Sequence, residues 1–510
     1  MADTSKPDYS SAEYQAFSPL WTKADDCLGG TEAMRSAAGK DGESPYLPQF
    51  PMEADDSYDY RLKTSTFMPA YGDALDMIVG AITRRPPTLN SVSAGIEADW
   101  ENIDKAGTHW TVFAQRLLRT GAHYGAAYVL TEMPKKPKGI FDAEQSKNMN
   151  FRPFSLLYSA KELADWPRYV VIDGAKVLQE IRFRECYSIP DGFGNIEVER
   201  FRVWRVPVEV DDFGNYRRTG NAEWEIWEEQ EIEAGKRRRG QKKTELTMID
   251  SDTSPLADIP VAVFNANPDL EEPEETEGPV LLNLANVNIK HYQITSDHEK
   301  ILHKCAPILT AVNRKDAEIS PTAGLDVLID CLEGGSVSYA EPPGTSLAER
   351  REWIAAIEKQ MLEMGASLFA EGSQKGAMTA TEVKERGGAK QSRISQIAGA
   401  WHDCMETVLG FFAQWKGEEP SGEITPGVKS SDLVLTAADL PTISGMVEKK
   451  QHSLRTMWAI EKKLGILPDD FDDEKELDKI EEEQKRLTPA PVQPVIQQTE
   501  PPAVAKGATA

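Results

Sequence analysis

The stretch from Ser346 to Lys416 constrains the fold more than any other part of the chain. It opens with Ser346-Leu-Ala-Glu349, a capping box in which the Ser hydroxyl accepts from a free backbone N–H while the Glu reaches back. Ile354, Ile357, Met361, Met364 and Leu368 then recur on one helical face. Ala370 to Met378 is a run of small and polar residues, read as a loop. Thr379-Ala-Thr-Glu382 is a second capping box. The helix it starts is interrupted at Gly387-Gly388 and then carries the stripe Ile394, Ile397, Trp401, Met405, Val408, Phe412 and Trp415. The unit is helix, polar loop, long helix with a glycine weak point. By itself it is also what an ordinary helical hairpin contains.

At 510 residues, the chain has length for several domains and ample cores. It carries 57 Lys and Arg against 83 Asp and Glu, a formal charge of −26. Such a surface does not attract nucleic acid, because phosphate binding needs clustered cations. It can still surround DNA without gripping it. The five cysteines, Cys27, Cys186, Cys305, Cys331 and Cys404, are scattered and form no C-x-x-C. Free thiols in a reducing cytoplasm are the expectation. The first residues show no signal-peptide pattern, and no run approaches a membrane span.

Along the chain, the first fifty residues read as polar. Pro69 to Arg85 reads as a helix with Arg84-Arg85 in its last turn and Pro86-Pro87 ending it. Trp110 to Thr120 is a further helix stopped by Gly121, and Ala126 to Leu130 a buried strand. Strand-like runs fill roughly 168–264, with turns at Asp191-Gly-Phe-Gly-Asn195 and Asp211-Asp-Phe-Gly-Asn215. The flanking strands do not match, so these turns mark no repeat. Lys236, Arg237, Arg238, Arg239, Lys242 and Lys243 form a basic segment between two strands, which a solvated hairpin tip explains without further function.

After an acidic connector, Pro279 opens a helix to about His303. Its Leu281, Leu284, Val287 and Ile294 are interleaved with Asn283, Asn286, Asn288, Lys290, His291, Gln293, Ser296 and Asp297. A helix this polar is expected to pack beside copies of itself or line a wet space rather than enter its own domain's core. Short strands follow to Gly344. Gly417 to Val428 reads as loop, Ser444 to Leu464 as helix, and Asp469 to Arg486 as an acidic helix. Beyond Leu487 the composition cannot bury enough to order itself.

Catalytic signatures are missing. There is no G-x-x-x-x-G-K-[ST], no G-x-S-x-G and no EF-hand spacing. His298 and His303 are five apart, so at about 100° per residue they point to separate helix faces and do not share a metal. No catalytic, cofactor-binding or metal residue is assigned.

The ordered landmarks Gly30 to Arg35, Tyr46 to Pro48, Tyr60 to Leu62, Ile78 to Pro87, Gly121 to Pro134, Ile259 to Phe264, Leu281 to Ala285, Asn288 to Tyr292 and Thr379 to Glu382 span about residues 20 to 487. In order and spacing they resemble portal proteins of tailed bacteriophages, the head-to-tail connectors of double-stranded DNA phages. The resemblance implies an α+β fold with an α/β wing at 1–278, a first stem helix at 279–302, a β-containing clip at 303–345 and a second stem helix at 346–369. It further implies a tunnel loop at 370–378, a long kinked helix and return to the wing at 379–429, a helical crown at 430–487 and a disordered tail at 488–510. Glu371, Gly372, Ser373, Gln374, Lys375 and Gly376 would then face a DNA channel, Gly387 and Gly388 would form the kink, and the basic segment would touch packaged DNA or the shell from the wing.

The function implied is a homo-oligomeric ring of about twelve subunits at one capsid vertex. It would pass double-stranded DNA during packaging and ejection. Its partners would be the terminase packaging motor, major capsid and scaffolding proteins, and neck or tail adaptors, with no membrane involved. It would reside in the virion, and in the host cytoplasm during assembly. It would be no enzyme, and no cofactor is expected. The rival readings are a capsid or neck adaptor without a channel, and a metal-dependent nuclease recognisable by DNA cleavage lost on single carboxylate substitution.

Overall fold

The computed structural model describes residues 6–37, 43–135, 150–232, 243–269, 272, 275–304, 308–314, 331–340, 345–366, 380–419, 422–426, 449, 453–463, 466–467 and 471–487. Helices and sheets are mixed, as the α+β expectation requires. The chain divides into a unit at Met1–Leu433 and a second at Val434–Ala510.

Helix α1, Ala12–Ser36, lies in the stretch that reads from sequence only as polar. Ser11 caps it by accepting from the Tyr14 N–H at 3.2 Å, and its own hydroxyl donates to Asp165 at 2.6 Å. Its buried residues, Tyr14, Trp21, Ala24, Cys27 and Met34, hold helical spacing, but Pro19 and a break at Gly30 (φ 69°) dilute the pattern. Tyr14, Phe17 and Trp21 surround Trp166 with ring centroids 5.1–5.8 Å away, and Tyr14 also donates to the Ala160 and Leu163 carbonyls. Two short helices, α2 at Asp55–Thr64 and α4 at Ala94–Trp100, are likewise unforeseen.

Helix α3, Ala70–Ile82, buries the expected Tyr71, Leu75, Ile78 and Ile82. It ends earlier than expected. The Thr83 hydroxyl turns back to the Val79 carbonyl at 2.8 Å, so Arg84 and Arg85 lie beyond the last turn. Helix α5, Trp110–Tyr124, overruns Gly121 by a full turn. Gly121 lies inside the helix and is glycine because a side chain there has no room: a Cβ would sit 2.3 Å from the Phe264 ring. The stop falls at Gly125, whose φ of 94° suits glycine alone.

A three-stranded antiparallel sheet is ordered β11-β2-β3, from Ala126–Glu132 (β2), Phe154–Ser159 (β3) and Val261–Asn265 (β11). Alternation along β2 splits its side chains between two cores. Ala127 and Val129 join a helical core with α3 and α5, while Ala126, Tyr128 and Leu130 join an aromatic core with α1 and the large sheet.

That sheet has the order β10-β9-β6-β5-β4-β8-β7. Its strands are Arg168–Ile172 (β4), Ala175–Asp191 (β5), Gly194–Arg205 (β6), Val208–Val210 (β7), Tyr216–Arg218 (β8), Glu223–Ile232 (β9) and Lys243–Thr253 (β10). Both expected turns are present. Asp191 pairs with Gly194 across one, and in the other the Asp211 carboxylate accepts from the Phe213 and Asn215 N–H groups. Elsewhere Thr88–Asn90 (β1) pairs with Glu423–Thr425 (β14), so a strand lies inside the expected loop at 417–428.

Helices α6, Leu282–Lys304, and α7, Thr345–Ala366, flank an antiparallel hairpin of Ile308–Arg314 (β12) and Cys331–Ala340 (β13). Helix α8, Ala380–Lys416, runs as one element through Gly387 and Gly388, so the two glycines do not end it. Its expected stripe is in the core: Ile394, Ile397, Trp401, Met405, Val408 and Phe412 are buried. Trp415 donates to the Thr131 carbonyl at 2.9 Å.

In the second unit, α9, Leu454–Lys463, and α10, Asp473–Leu487, are joined at Trp458 and Phe471, with centroids 5.6 Å apart. Lys462 donates to the Phe471 carbonyl at 2.7 Å and pairs with Asp473 at 3.0 Å. Among the described residues no helix is long and apolar enough to cross a membrane.

Candidate functional site

The candidate site is the pair α6 and α7 with its hairpin. The polar face of α6 corrects the expectation made for it. Asn288, His291, Ser296 and His298 are buried within the same chain, beside Tyr292. The reason is a set of distant partners. Asn288 donates to the Met68 carbonyl at 2.9 Å, Gln293 to the Tyr46 carbonyl at 3.0 Å, and the Ser65 hydroxyl to Ser296 at 2.7 Å. Buried amides and hydroxyls are stable where each has such a partner. Towards the C-terminal end, Lys300 pairs with Glu53, whose side chain is 1% exposed. Burial works against the Glu53 charge, but hydrogen bonds from Arg61, Lys300 and the Phe50 N–H outweigh it and hold the carboxyl at about 2.

Helix α7 is the opposite case. Its inward line is Ile357, Met361 and Gly365, flanked by Ile354 and Met364, as its sequence stripe requires. His291 Nε2 lies 3.2 Å from Glu358 Oε1 and ties the two helices. Most of the other described side chains of α7 face outward, and among them Trp353 is 55% exposed and Leu362 71%. Nine residues apart, these two large apolar side chains stand about 180° from each other, so each marks a contact on its own flank of an otherwise charged helix.

Of the residues singled out in sequence, Glu371, Gly372, Ser373, Gln374, Lys375 and Gly376 lie outside the described residues, in the interval between the end of α7 at Ala366 and the start of α8 at Ala380. Lys236, Arg237, Arg238, Arg239 and Lys242 also lie outside them. Lys243 begins β10, with its backbone paired to Ile232 of β9, so the basic segment does join two antiparallel strands.

A second polar cluster binds α1 to α5. Asp25 accepts from Tyr124 at 2.8 Å and Lys161 at 2.6 Å and lies 2.9 Å from His123 Nε2, whose Nδ1 meets the Tyr71 hydroxyl at 3.0 Å. Burial opposes the Asp25 charge, and the hydrogen bonds from His123, Lys161 and Tyr124 overcome it, lowering the carboxyl to about 2. Every member is engaged inside the chain, so the cluster acts as a brace. One group of described residues, His402, Asp403 and Glu406, has ligand atoms close enough for a metal ion. It is solvent-facing, and the His402 imidazole is already engaged by the Ile424 carbonyl.

Residues 280–416, from the start of α6 through α8, match a family described as "Domain of unknown function (DUF4055)". No curated protein matches the chain. Among solved structures, a chain in the virion of a native gene transfer agent particle is 9% identical with a TM-score of 0.35, covering 88% of this chain and 98% of that one. A chain in the neck of an empty gene transfer agent particle, computed with C6 symmetry, is 10% identical with a TM-score of 0.38, covering 82% and 95%.

Proposed function

We propose that the chain is the portal subunit of a tailed-phage-like particle. Copies form a closed ring at one capsid vertex through which double-stranded DNA passes during packaging and ejection. The observation that carries this reading is the pair of exposed apolar side chains on opposite flanks of α7. One chain leaves Trp353 and Leu362 exposed on a helix whose partner, α6, is already packed in its own chain. A neighbouring subunit supplies the missing cover, and different faces meeting head-to-tail close a ring. The order helix, small β-hairpin, helix, long helix at 282–304, 308–340, 345–366 and 380–416 fits stem, clip, stem and kinked helix. Gly387 and Gly388 are the natural place for the bend, because glycine weakens a helix interior.

A net charge of −26 suits a channel that confines DNA without holding it, since a basic lining would bind phosphates by counterion release. The packaging motor, shell and scaffolding proteins, and neck or tail adaptors are the partners of such a ring, in the virion and during assembly.

Electron microscopy of the purified chain is expected to show rings with a central hole of roughly 20 Å or more, the width duplex DNA requires. Solid particles without a channel would replace this reading with that of an adaptor. A cysteine in place of Ser373 tests the channel loop. Maleimide labelling is expected in empty particles and shielding in DNA-filled ones. Equal labelling would place the loop outside the channel.

The exposed pair on α7 has its own test. Trp353→Ser with Leu362→Ser is expected to change the folding stability of the single chain by no more than about 0.5 kcal/mol, because both are exposed. Ring formation should weaken at least tenfold. A destabilised chain with unchanged rings would assign these side chains to the chain's own core.

A further inference from the structure

The two Phe-containing turns of the large sheet are not absorbed by the ring reading, and one belongs to an unusual element. Strand β5 pairs with β4 only through Glu180, and β6 pairs with β9 only from Arg200 onward. The segment from Cys186 to Glu199 therefore leaves the sheet as a two-stranded ribbon. At its tip Phe193 is fully exposed, at 115%, and the cross-strand pair Ile189 and Ile196 is 43% and 52% exposed. From Tyr187 to Val198 the only charged side chains are Asp191 and Glu197. A two-stranded ribbon is marginal alone, and a clustered apolar tip in water is a contact in waiting.

The same sheet carries a matching hollow. Trp204 of β6, Trp224 and Ile226 of β9, Phe154 of β3 and Trp415 of α8 line a cleft of about 190 Å³. All but Trp204 are only half-buried, so the aromatic wall is open to solvent. Charges of both signs stand at its mouth. Lys135 Nζ is 5.3 Å from the Trp224 ring centroid and pairs with Asp250, and Lys105 Nζ is 4.8 Å from that of Phe154. Lys135 and Arg202 of the lining are balanced by Asp250 and Glu132, so what the cleft offers an apolar tip is its aromatic wall.

The tip does not fill the cleft of its own chain. Phe193 and Trp204 are about eleven residues apart along one extended strand, roughly 35 Å at the rise of a β-strand. We infer that Phe193 and its ribbon insert into the Trp204–Trp224–Trp415 cleft of a second copy of this chain. The inference rests on the ring reading and extends it: knob and hollow are different surfaces, so the contact runs head-to-tail and is of the kind that closes a ring.

The test uses the full chain lacking Cys186, Cys305 and Cys331. Phe193→Cys combined with Met133→Cys, on the cleft wall, is expected to give a ladder of covalent oligomers on oxidation. Neither single variant should give one. Phe193→Ala should weaken self-association at least tenfold, and Phe193→Leu should retain most of it, as for a buried apolar anchor. Rings that form with no ladder and with unchanged Phe193→Ala assembly overturn this contact and leave the ring standing. Failure of the parent chain to form rings overturns the ring reading and the contact with it. If the Phe193→Cys thiol forms its disulfide exclusively with another virion protein, the contact is likewise overturned.

Discussion

Gly125→Val is expected to cost about 3–5 kcal/mol of folding stability, from a left-handed φ forced on a β-branched residue and from overpacking against backbone. Gly125 ends α5 at φ 94°, and its N–H bonds the Gly121 carbonyl at 2.8 Å. Its own carbonyl accepts from Ala266 at 2.8 Å and Asn267 at 3.2 Å, tying β11 to the helix end. A Cβ here would lie 2.4 Å from the Gly278 carbonyl oxygen and 2.5 Å from the Thr276 hydroxyl. Backbone cannot swing aside as a side chain does. Gly278, at φ 90°, in turn packs against Phe17 of α1. Relieving the clash therefore moves the entry to α6. Gly174→Ala is the control: its φ is 83° but nothing lies within 4 Å, so only the conformational cost of about 1 kcal/mol applies. Urea unfolding followed by tryptophan fluorescence measures both. A Gly125→Val chain within about 1 kcal/mol of the parent would mean the joint relaxes freely.

Arg61→Met is expected to cost about 3–5 kcal/mol, because it leaves the Glu53 carboxylate buried with one partner fewer. Arg61 donates to both Glu53 oxygens, at 3.1 and 2.8 Å, and to the Pro48 carbonyl at 2.8 Å. Lys300 reaches the same carboxylate from α6, so the network fastens that helix to the N-terminal segment. The pH dependence has a definite sign. The Glu53 carboxyl titrates at its ordinary 4.5 when unfolded and at about 2 when folded, so between these values the unfolded chain binds more protons. The stabilisation is complete above about 4.5 and is lost as pH falls towards 2, a change of about 3 kcal/mol at 1.36 kcal/mol per pH unit. Glu53→Gln should be less stable at neutral pH yet flatter through that window. Asp25, also held at about 2, keeps its own share of the acid slope in both chains. Equal acid slopes in parent and Glu53→Gln would remove Glu53 from this role.

The stripes of α3, α7 and α8 are determined by sequence alone, because a helical face buried against apolar neighbours needs only spacing. The same holds for the strands of the large sheet and the two Asp-containing turns, whose chemistry is local. Helix α1 was written in the same code, at Tyr14, Trp21, Ala24, Cys27 and Met34, but Pro19 and Gly30 obscured it. The glycines separate the two levels. Both Gly121 and Gly125 exclude a side chain, against the Phe264 ring and the Gly278 carbonyl, but only Gly125 takes a left-handed φ, its carbonyl held by Ala266 and Asn267 of the strand segment, and so stops the helix.

Helix α6 shows the limit most clearly. Its residues specify a helix with many amides, hydroxyls and charges, but not the direction they face. That depends on acceptors and donors at Tyr46, Glu53, Arg61, Ser65 and Met68, more than two hundred residues earlier in the chain for most of these contacts. Hydrogen bonds are short-ranged and directional, so a polar residue reads the same in sequence whether it meets water, a neighbouring copy or a distant carbonyl of its own chain. Only the tertiary structure, by bringing α2 and the segment before it against α6, turned those polar side chains inward and left the outward face to α7.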